Sequence, residues 1–145
     1  MMNALLSDLR RDEGWRESPY RDSLGFLTIG YGFLIDERKP VKLQKEVGDL
    51  WLAVVAEEKW LALLDASPWI ATQPDDVQRA LANMAYQLGV AGVLNFKKML
   101  AALRDGDREQ AAIEALDSTW AKQTPARAQR VAALLSGEPV SIEVK

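Results

Sequence analysis

The sequence predicts a mainly helical α+β fold. Apolar residues recur at helical spacing over most of the 145 residues, while a single stretch near residues 18–35 switches to strand-like alternation studded with glycine. A hydrophobic content of 48% is enough to fill a core at this length, so the chain is expected to fold alone as one domain.

Leu5, Leu6 and Leu9 mark a first helix, and Gly14 follows Glu13 where a helix of that length stops. Glu13 is thereby delivered at the helix C-terminus. Pro19 and Tyr20 open the strand-like stretch, Ser23-Leu24-Gly25 reads as a turn, and alternation runs from Phe26 to Phe33, which together predict a β-hairpin. Period two sets Leu27, Ile29, Tyr31 and Phe33 on a core-like face. Phe26, Thr28, Gly30 and Gly32 take the other, where two missing side chains admit a ligand close to the backbone.

Residues 36–42 form a charged connector containing Pro40. Residues 44–66 then carry Val47, Leu50, Trp51, Val54, Val55, Trp60, Leu61 and Leu64 in a helix long enough to join two lobes, with Pro68 and Trp69 marking its end. Beyond it the spacing predicts a helix from Pro74 closed by Gly89, one over residues 96–103, and one over residues 108–116. A last helix runs from an N-cap at Thr124, through Pro125, to Gly137. Residues 138–145 read as a short strand or a frayed end. The expected division is a hairpin lobe over residues 14–43, a connecting helix over 44–66, and a helical lobe made of 67–145 with helix 1–13. Clefts between lobes are where substrates bind.

Composition narrows the chemistry. The chain has no Cys, which removes disulfides and thiolate nucleophiles, and no His, which removes Ser-His-Asp triads and nearly all zinc sites. Carboxylates are the acid–base groups that remain, and neither a metal nor another cofactor is expected. A net charge of −3 argues against nucleic acid as partner, and Lys122, Arg127 and Arg130 read as a solvated helix face. No window reaches the roughly 18 uncharged apolar residues of a membrane span, and Asp8, Arg10 and Arg11 interrupt the first helix. Neither membrane insertion nor a signal peptide is therefore expected.

Glu13, Asp22 and Thr28 form the chemical constellation. Cleaving a glycosidic bond needs a carboxylic acid to protonate the leaving oxygen and a second group to place water or stabilise the oxocarbenium-like transition state. Glu13 and Asp22 supply such a pair, and the Thr28 hydroxyl can hold the water. Spacing alone equally allows a structural reading, with Glu13 a helix-end residue, Asp22 a turn former and Thr28 an ordinary strand residue.

The run Asp12-Glu13-Gly14, Asp22, Gly25 and Thr28-Ile29-Gly30-Tyr31-Gly32 resembles the catalytic signature of the phage-type lysozymes, the endolysins of the T4 kind. Two further blocks agree. Asn83-Met84-Ala85-Tyr86-Gln87-Leu88-Gly89 resembles the cleft-lining helix of that family, and the stretch from Trp120 to Arg130 resembles its W-x-x-Q-T-P-x-R-A-x-R motif. The resemblance implies a lysozyme-like two-lobed fold with a small hairpin lobe and an all-helical C-terminal lobe. It implies Glu13 as general acid, Asp22 as the carboxylate that orients or activates water, and Thr28 as the water-positioning hydroxyl. Tyr20, Gly32, Leu34, Tyr86 and Gln87 would line the sugar cleft, and Arg127 would lie near the acid and fix the C-terminal motif. The implied substrate is peptidoglycan, cut between N-acetylmuramic acid and N-acetylglucosamine by a monomer. That enzyme would accumulate in the host bacterial cytoplasm and reach the wall through a holin-made lesion.

Phe33 stands where many relatives have His, the connector over residues 34–42 is short, and the chain is acidic although its substrate is anionic. Trp51, Trp60, Trp69 and Trp120 are expected in the core. Trp15, directly after Gly14, would wall the acid from water. A lytic transglycosylase on the same bond and a non-catalytic wall-binding module of a phage particle are the alternative readings.

Overall fold

Helix α1 (Met2–Glu13) ends where expected, with the Gly14 N–H donating to the Arg10 carbonyl at 3.1 Å. The structure is a computed structural model and describes residues 1–138. Beyond Glu138, the expected tail strand lies outside the described residues. The chain groups into two units, Met1–Gly48 and Asp49–Lys145, with α1 in the first.

The first unit holds a three-stranded antiparallel sheet in the order β1 (Arg16–Arg21), β2 (Leu27–Gly30), β3 (Phe33–Leu34). The expected hairpin is present as β1 and β2, and a third strand extends it. Gly30 and Gly32 adopt φ of 67° and 70°, so the chain reverses at Tyr31-Gly32 and Phe33 begins a third strand. The reversal also breaks the expected two-face pattern. Thr28, in the central strand, is only 3% exposed, whereas Phe33, expected on the core face, is 57% exposed. Flanking strands cover β2, and β3 is an edge. The register is Tyr20 opposite Thr28 and Thr28 opposite Leu34, with an irregularity in β1 between Arg16 and Tyr20, where Pro19 has no N–H to offer.

Helix α2 (Lys45–Ala66) matches the predicted long helix. Its C-terminal part packs through Leu63, Trp60 and Leu64 on the core. Trp51, expected in the core, is 57% exposed, because Leu50, Trp51, Leu52 and Val54 spread round the helix and make no single stripe.

In the second unit a short 3-10 helix (Pro68–Thr72) leads to α3 (Asp75–Leu94), α4 (Lys97–Arg104), α5 (Arg108–Leu116), α6 (Thr119–Gln123) and α7 (Pro125–Ser136). Gly89, expected to end a helix, instead kinks α3 at φ 74°, ψ 171°. Leu63, Ile70, Val77, Leu81, Met84, Val93, Met99, Leu103, Val131 and Leu135 fill the core. Asp107 caps α5 and Ser118 caps α6 through backbone N–H groups. Thr124 precedes α7 as expected, but its hydroxyl donates backward to the Trp120 carbonyl at 3.1 Å, closing α6 instead of capping α7. Arg108 ties the start of α3 to the end of α7. It pairs with Asp76 at 2.7 Å and donates to the carbonyls of Leu134 and Leu135, groups that the end of α7 leaves without helical partners. That guanidinium holds the Asp76 carboxyl below its ordinary range.

Candidate active site

Glu13, the last residue of α1, lies with its carboxylate against the backbone of Gly32. A Cβ at Gly32 would come within 2.5 Å of Oε2 and 3.2 Å of Cδ. The glycine therefore makes room for the acid, and the turn that carries it is the one that separates β2 from β3.

Asp22 and Thr28 are held by the turn between β1 and β2. Asp22 Oδ1 accepts from the N–H groups of Leu24 and Phe26, both at 2.9 Å, while its own N–H donates to the Phe26 carbonyl at 2.9 Å. The turn-forming role read from sequence is thus present. It commits one carboxylate oxygen only, so Oδ2 is the one available to a water. Thr28 donates its hydroxyl hydrogen to the same Phe26 carbonyl at 2.9 Å, which leaves its oxygen to act as an acceptor.

Sequence reasoning missed the group that sustains this turn. Asp36 is 4% exposed, although it sits in the stretch read as a charged connector. Its Oδ2 accepts from the Leu27 N–H at 2.8 Å and its Oδ1 from the Arg38 N–H at 3.0 Å. The Arg38 guanidinium clasps both oxygens, Nε to Oδ1 at 2.7 Å and Nη2 to Oδ2 at 2.8 Å. Arg38 and Arg21 also donate to the Gly25 carbonyl at 2.8 and 3.0 Å. Hydrogen bonding from Arg38, then from the Leu27 and Arg38 backbone, holds the Asp36 carboxyl well below the carboxylate range despite burial. The pairing raises Arg38 in turn. The available signal was the D-x-R spacing just past the strand, which lets a carboxylate and a guanidinium fork meet.

The register places Tyr20, Thr28 and Leu34 in one row across the sheet, so three of the expected site residues share a face. The Arg16 guanidinium lies 4.6 Å from the centre of the Tyr20 ring.

Tyr86, Gln87 and Arg127 belong to the second unit. Tyr86 is exposed on α3. Gln87 Oε1 accepts from the Trp120 indole N–H at 2.9 Å, joining the second and third motif blocks, and Phe96 meets the Trp120 ring edge-on at 5.9 Å. Arg127 reaches from α7 to α3, donating to Asn83 Oδ1 at 2.9 Å and to the Asn83 carbonyl at 3.1 Å. A groove of about 700 Å³ opens beside this cluster, lined among others by Leu88, Phe96, Lys98, Asp117 and Trp120. Among the described residues no group of three or more His, Cys, Asp or Glu side chains could hold a metal, and no helix is long and apolar enough to cross a membrane.

A small antiparallel sheet following an N-terminal helix that ends in a glutamate, together with a bundle of short helices, is the mainly helical α+β fold of lysozymes. The chain belongs to the phage lysozyme family, whose model matches residues 10–136. It is similar to the pre-baseplate central spike protein Gp5 of Enterobacteria phage T4, at 35% identity over 94% of this chain and 29% of that protein. It is also similar to the probable T4-type lysozymes 2 and 1 of Dictyostelium discoideum. The identities are 31% and 28%, covering 90% and 93% of this chain and 92% and 95% of theirs. The chain thus spans less than a third of the spike protein and nearly all of the other two.

Proposed function

We propose that the chain is an endolysin-type muramidase, hydrolysing the β-1,4 bond between N-acetylmuramic acid and N-acetylglucosamine in bacterial peptidoglycan. The observation that carries this reading is the shared Phe26 carbonyl, which sets a carboxylate with one oxygen to spare and an acceptor hydroxyl in the same turn. Glu13 protonates the leaving glycosidic oxygen. Water held by Thr28 and Asp22 attacks the anomeric carbon from the opposite face, and its proton passes to the Asp22 carboxylate. The anomeric configuration therefore inverts. Tyr20, Gly32, Leu34, Tyr86 and Gln87 contact sugar, and Arg127, bonded to Asn83, fixes the C-terminal motif. The enzyme works as a monomer and, in a phage-infected cell, reaches the wall through a holin-made lesion. Lysis that proceeds equally without holin would remove that last step.

The test is digestion of Gram-negative peptidoglycan by the protein and by Glu13→Gln, with the released sugars identified by mass spectrometry. Reducing-end muropeptides that vanish in the variant are the expected result. Products ending in 1,6-anhydro sugars would transfer the assignment to a lytic transglycosylase. The likeness to a spike protein favours one second reading, a module of a phage particle that binds wall without cutting it. Tight binding with no products from either protein would establish that reading.

A further inference from the structure

Trp15 and Phe33 are, at 63% and 57%, among the most exposed aromatic side chains in the first unit, and they are not scattered. Tyr31 stands between them, its ring centre 5.0 Å from Trp15 at 55° and 6.3 Å from Phe33 at 81°. Both outer rings rest on Gly30. A Cβ there would come within 2.7 Å of Phe33 Cδ2 and 3.3 Å of Trp15 Cζ3. Gly30 thus supports the aromatic group while Gly32, two residues on, supports the Glu13 carboxylate. One turn carries the acid and the aromatic surface on successive glycines.

We infer that Trp15, Tyr31 and Phe33 form a stacking platform for a pyranose ring of the glycan strand beside Glu13. The inference rests on the muramidase reading and names a saccharide contact outside the residues assigned above. A pyranose presents a face of C–H groups and a rim of hydroxyls, so it packs flat on an aromatic ring and keeps its rim in water. Rings held against a shared neighbour, one tilted and one edge-on, lose little freedom when such a ligand arrives, because their orientation is already set. Aromatic side chains this exposed and this contiguous mark a binding surface more often than a core. The platform's position beside the acid selects the glycan as its occupant.

Two measurements on the full chain test it. In the first, KM and kcat on soluble peptidoglycan strands are compared for the protein, Trp15→Phe and Trp15→Leu. Leucine keeps an apolar contact on Tyr31 but has no aromatic face. The expected order is wild type, then Phe, then Leu, with Leu raising KM by about three- to tenfold, a larger factor than any fall in kcat. In the second, Glu13→Gln is titrated with a tetrasaccharide of alternating N-acetylglucosamine and N-acetylmuramic acid while the Trp15 indole N–H resonance is followed, assigned from its loss in Trp15→Phe. The resonance is expected to move. A stationary resonance overturns the platform, as does a folded Trp15→Leu with wild-type KM, or a chain dimer that Trp15→Leu dissociates. If Trp15→Leu does not fold, the titration decides alone. Wild-type hydrolysis with a stationary resonance sinks the platform only, whereas a moving resonance without hydrolysis sinks the muramidase reading and leaves the platform standing.

Discussion

Asp22 and Thr28 meet at one carbonyl. The Phe26 oxygen accepts from the Asp22 N–H and from the Thr28 hydroxyl, each at 2.9 Å, and the Phe26 N–H returns a bond to Asp22 Oδ1 at 2.9 Å. Two side chains six residues apart are thereby positioned by the backbone of one residue. A site supported by backbone bonds keeps its geometry without relying on the packing of long side chains.

That turn depends on Asp36, and the dependence carries a pH signature. The Arg38 fork holds the Asp36 carboxyl below its ordinary value of 3.8. The stabilisation is complete above that value and is lost as pH falls below it, toward the depressed value of the folded state. Asp36→Asn should lower the Tm at pH 7 and flatten the acid side of the Tm profile, while Asp76 maintains a residual slope in the second unit. Calorimetry at pH 7 and pH 3 checks it. An Asn variant displaced from wild type by the same interval at both values would show that the Asp36 charge is not the cause.

Trp120→Phe removes the donor to Gln87 and leaves the edge contact with Phe96 largely in place. The expected cost in urea denaturation is about 1–2 kcal/mol, from one lost hydrogen bond and a small void. Gln87, released from its anchor, should also hold sugar less well, so KM should rise more than kcat falls. An unchanged KM would remove Gln87 from the binding surface.

Most helices were legible because they carry their own punctuation, although Gly89 kinks α3 instead of ending it. Glu13-Gly14, Thr124-Pro125 and Gly137 lie at helix boundaries in the sequence and in the structure alike. The sheet was less legible. Tyr31-Gly32 reads as a continuing strand until two glycines with positive φ are known to reverse it, and glycine permits a turn without announcing one. The candidate residues Glu13, Asp22 and Thr28 were found through their neighbours in the motif, since carboxylate spacing alone did not separate catalysis from turn formation. Asp36 and Arg38 were not found. Two charges beside Pro40 look like part of a charged connector, and only the fold buries the carboxylate against the Leu27 N–H. The Trp15–Tyr31–Phe33 group was hidden for the same reason, because alternation assigned Tyr31 and Phe33 to the core.

Gly32→Ala tests the seat of the acid. The added Cβ would lie 2.5 Å from Glu13 Oε2, at a backbone φ of 70° that alanine adopts at a cost of about 1–2 kcal/mol. Glu13 can escape only by moving its carboxylate. A displacement near 1 Å should reduce kcat by about a hundredfold, well beyond what the loss of stability accounts for at a temperature where the variant is folded. Near-normal kcat in folded Gly32→Ala would mean that the carboxylate works from another position.

Thr28 offers the sharpest separation of a structural role from a chemical one. Thr28→Val preserves shape and β-branching but removes both the donor to Phe26 and the acceptor oxygen. Thr28→Ser keeps the hydroxyl and loses a methyl. If Thr28 only braces the turn, Val should cost about 1 kcal/mol of stability and the folded enzyme should turn over normally, because Asp22 still bonds the Phe26 carbonyl. If its oxygen holds the attacking water, Val should lower kcat by about a hundredfold or more while Ser recovers most of it. The same samples, followed early by proton NMR, should show the α-anomer as first product from the active proteins, since water held opposite the leaving group inverts the β bond. Full turnover by Thr28→Val would leave water placement to Asp22 alone. A β-anomer as first product would instead require direct attack on carbon by Asp22 or by the sugar's own acetamido oxygen, and the acceptor oxygen of Thr28 would then have no part in the first step.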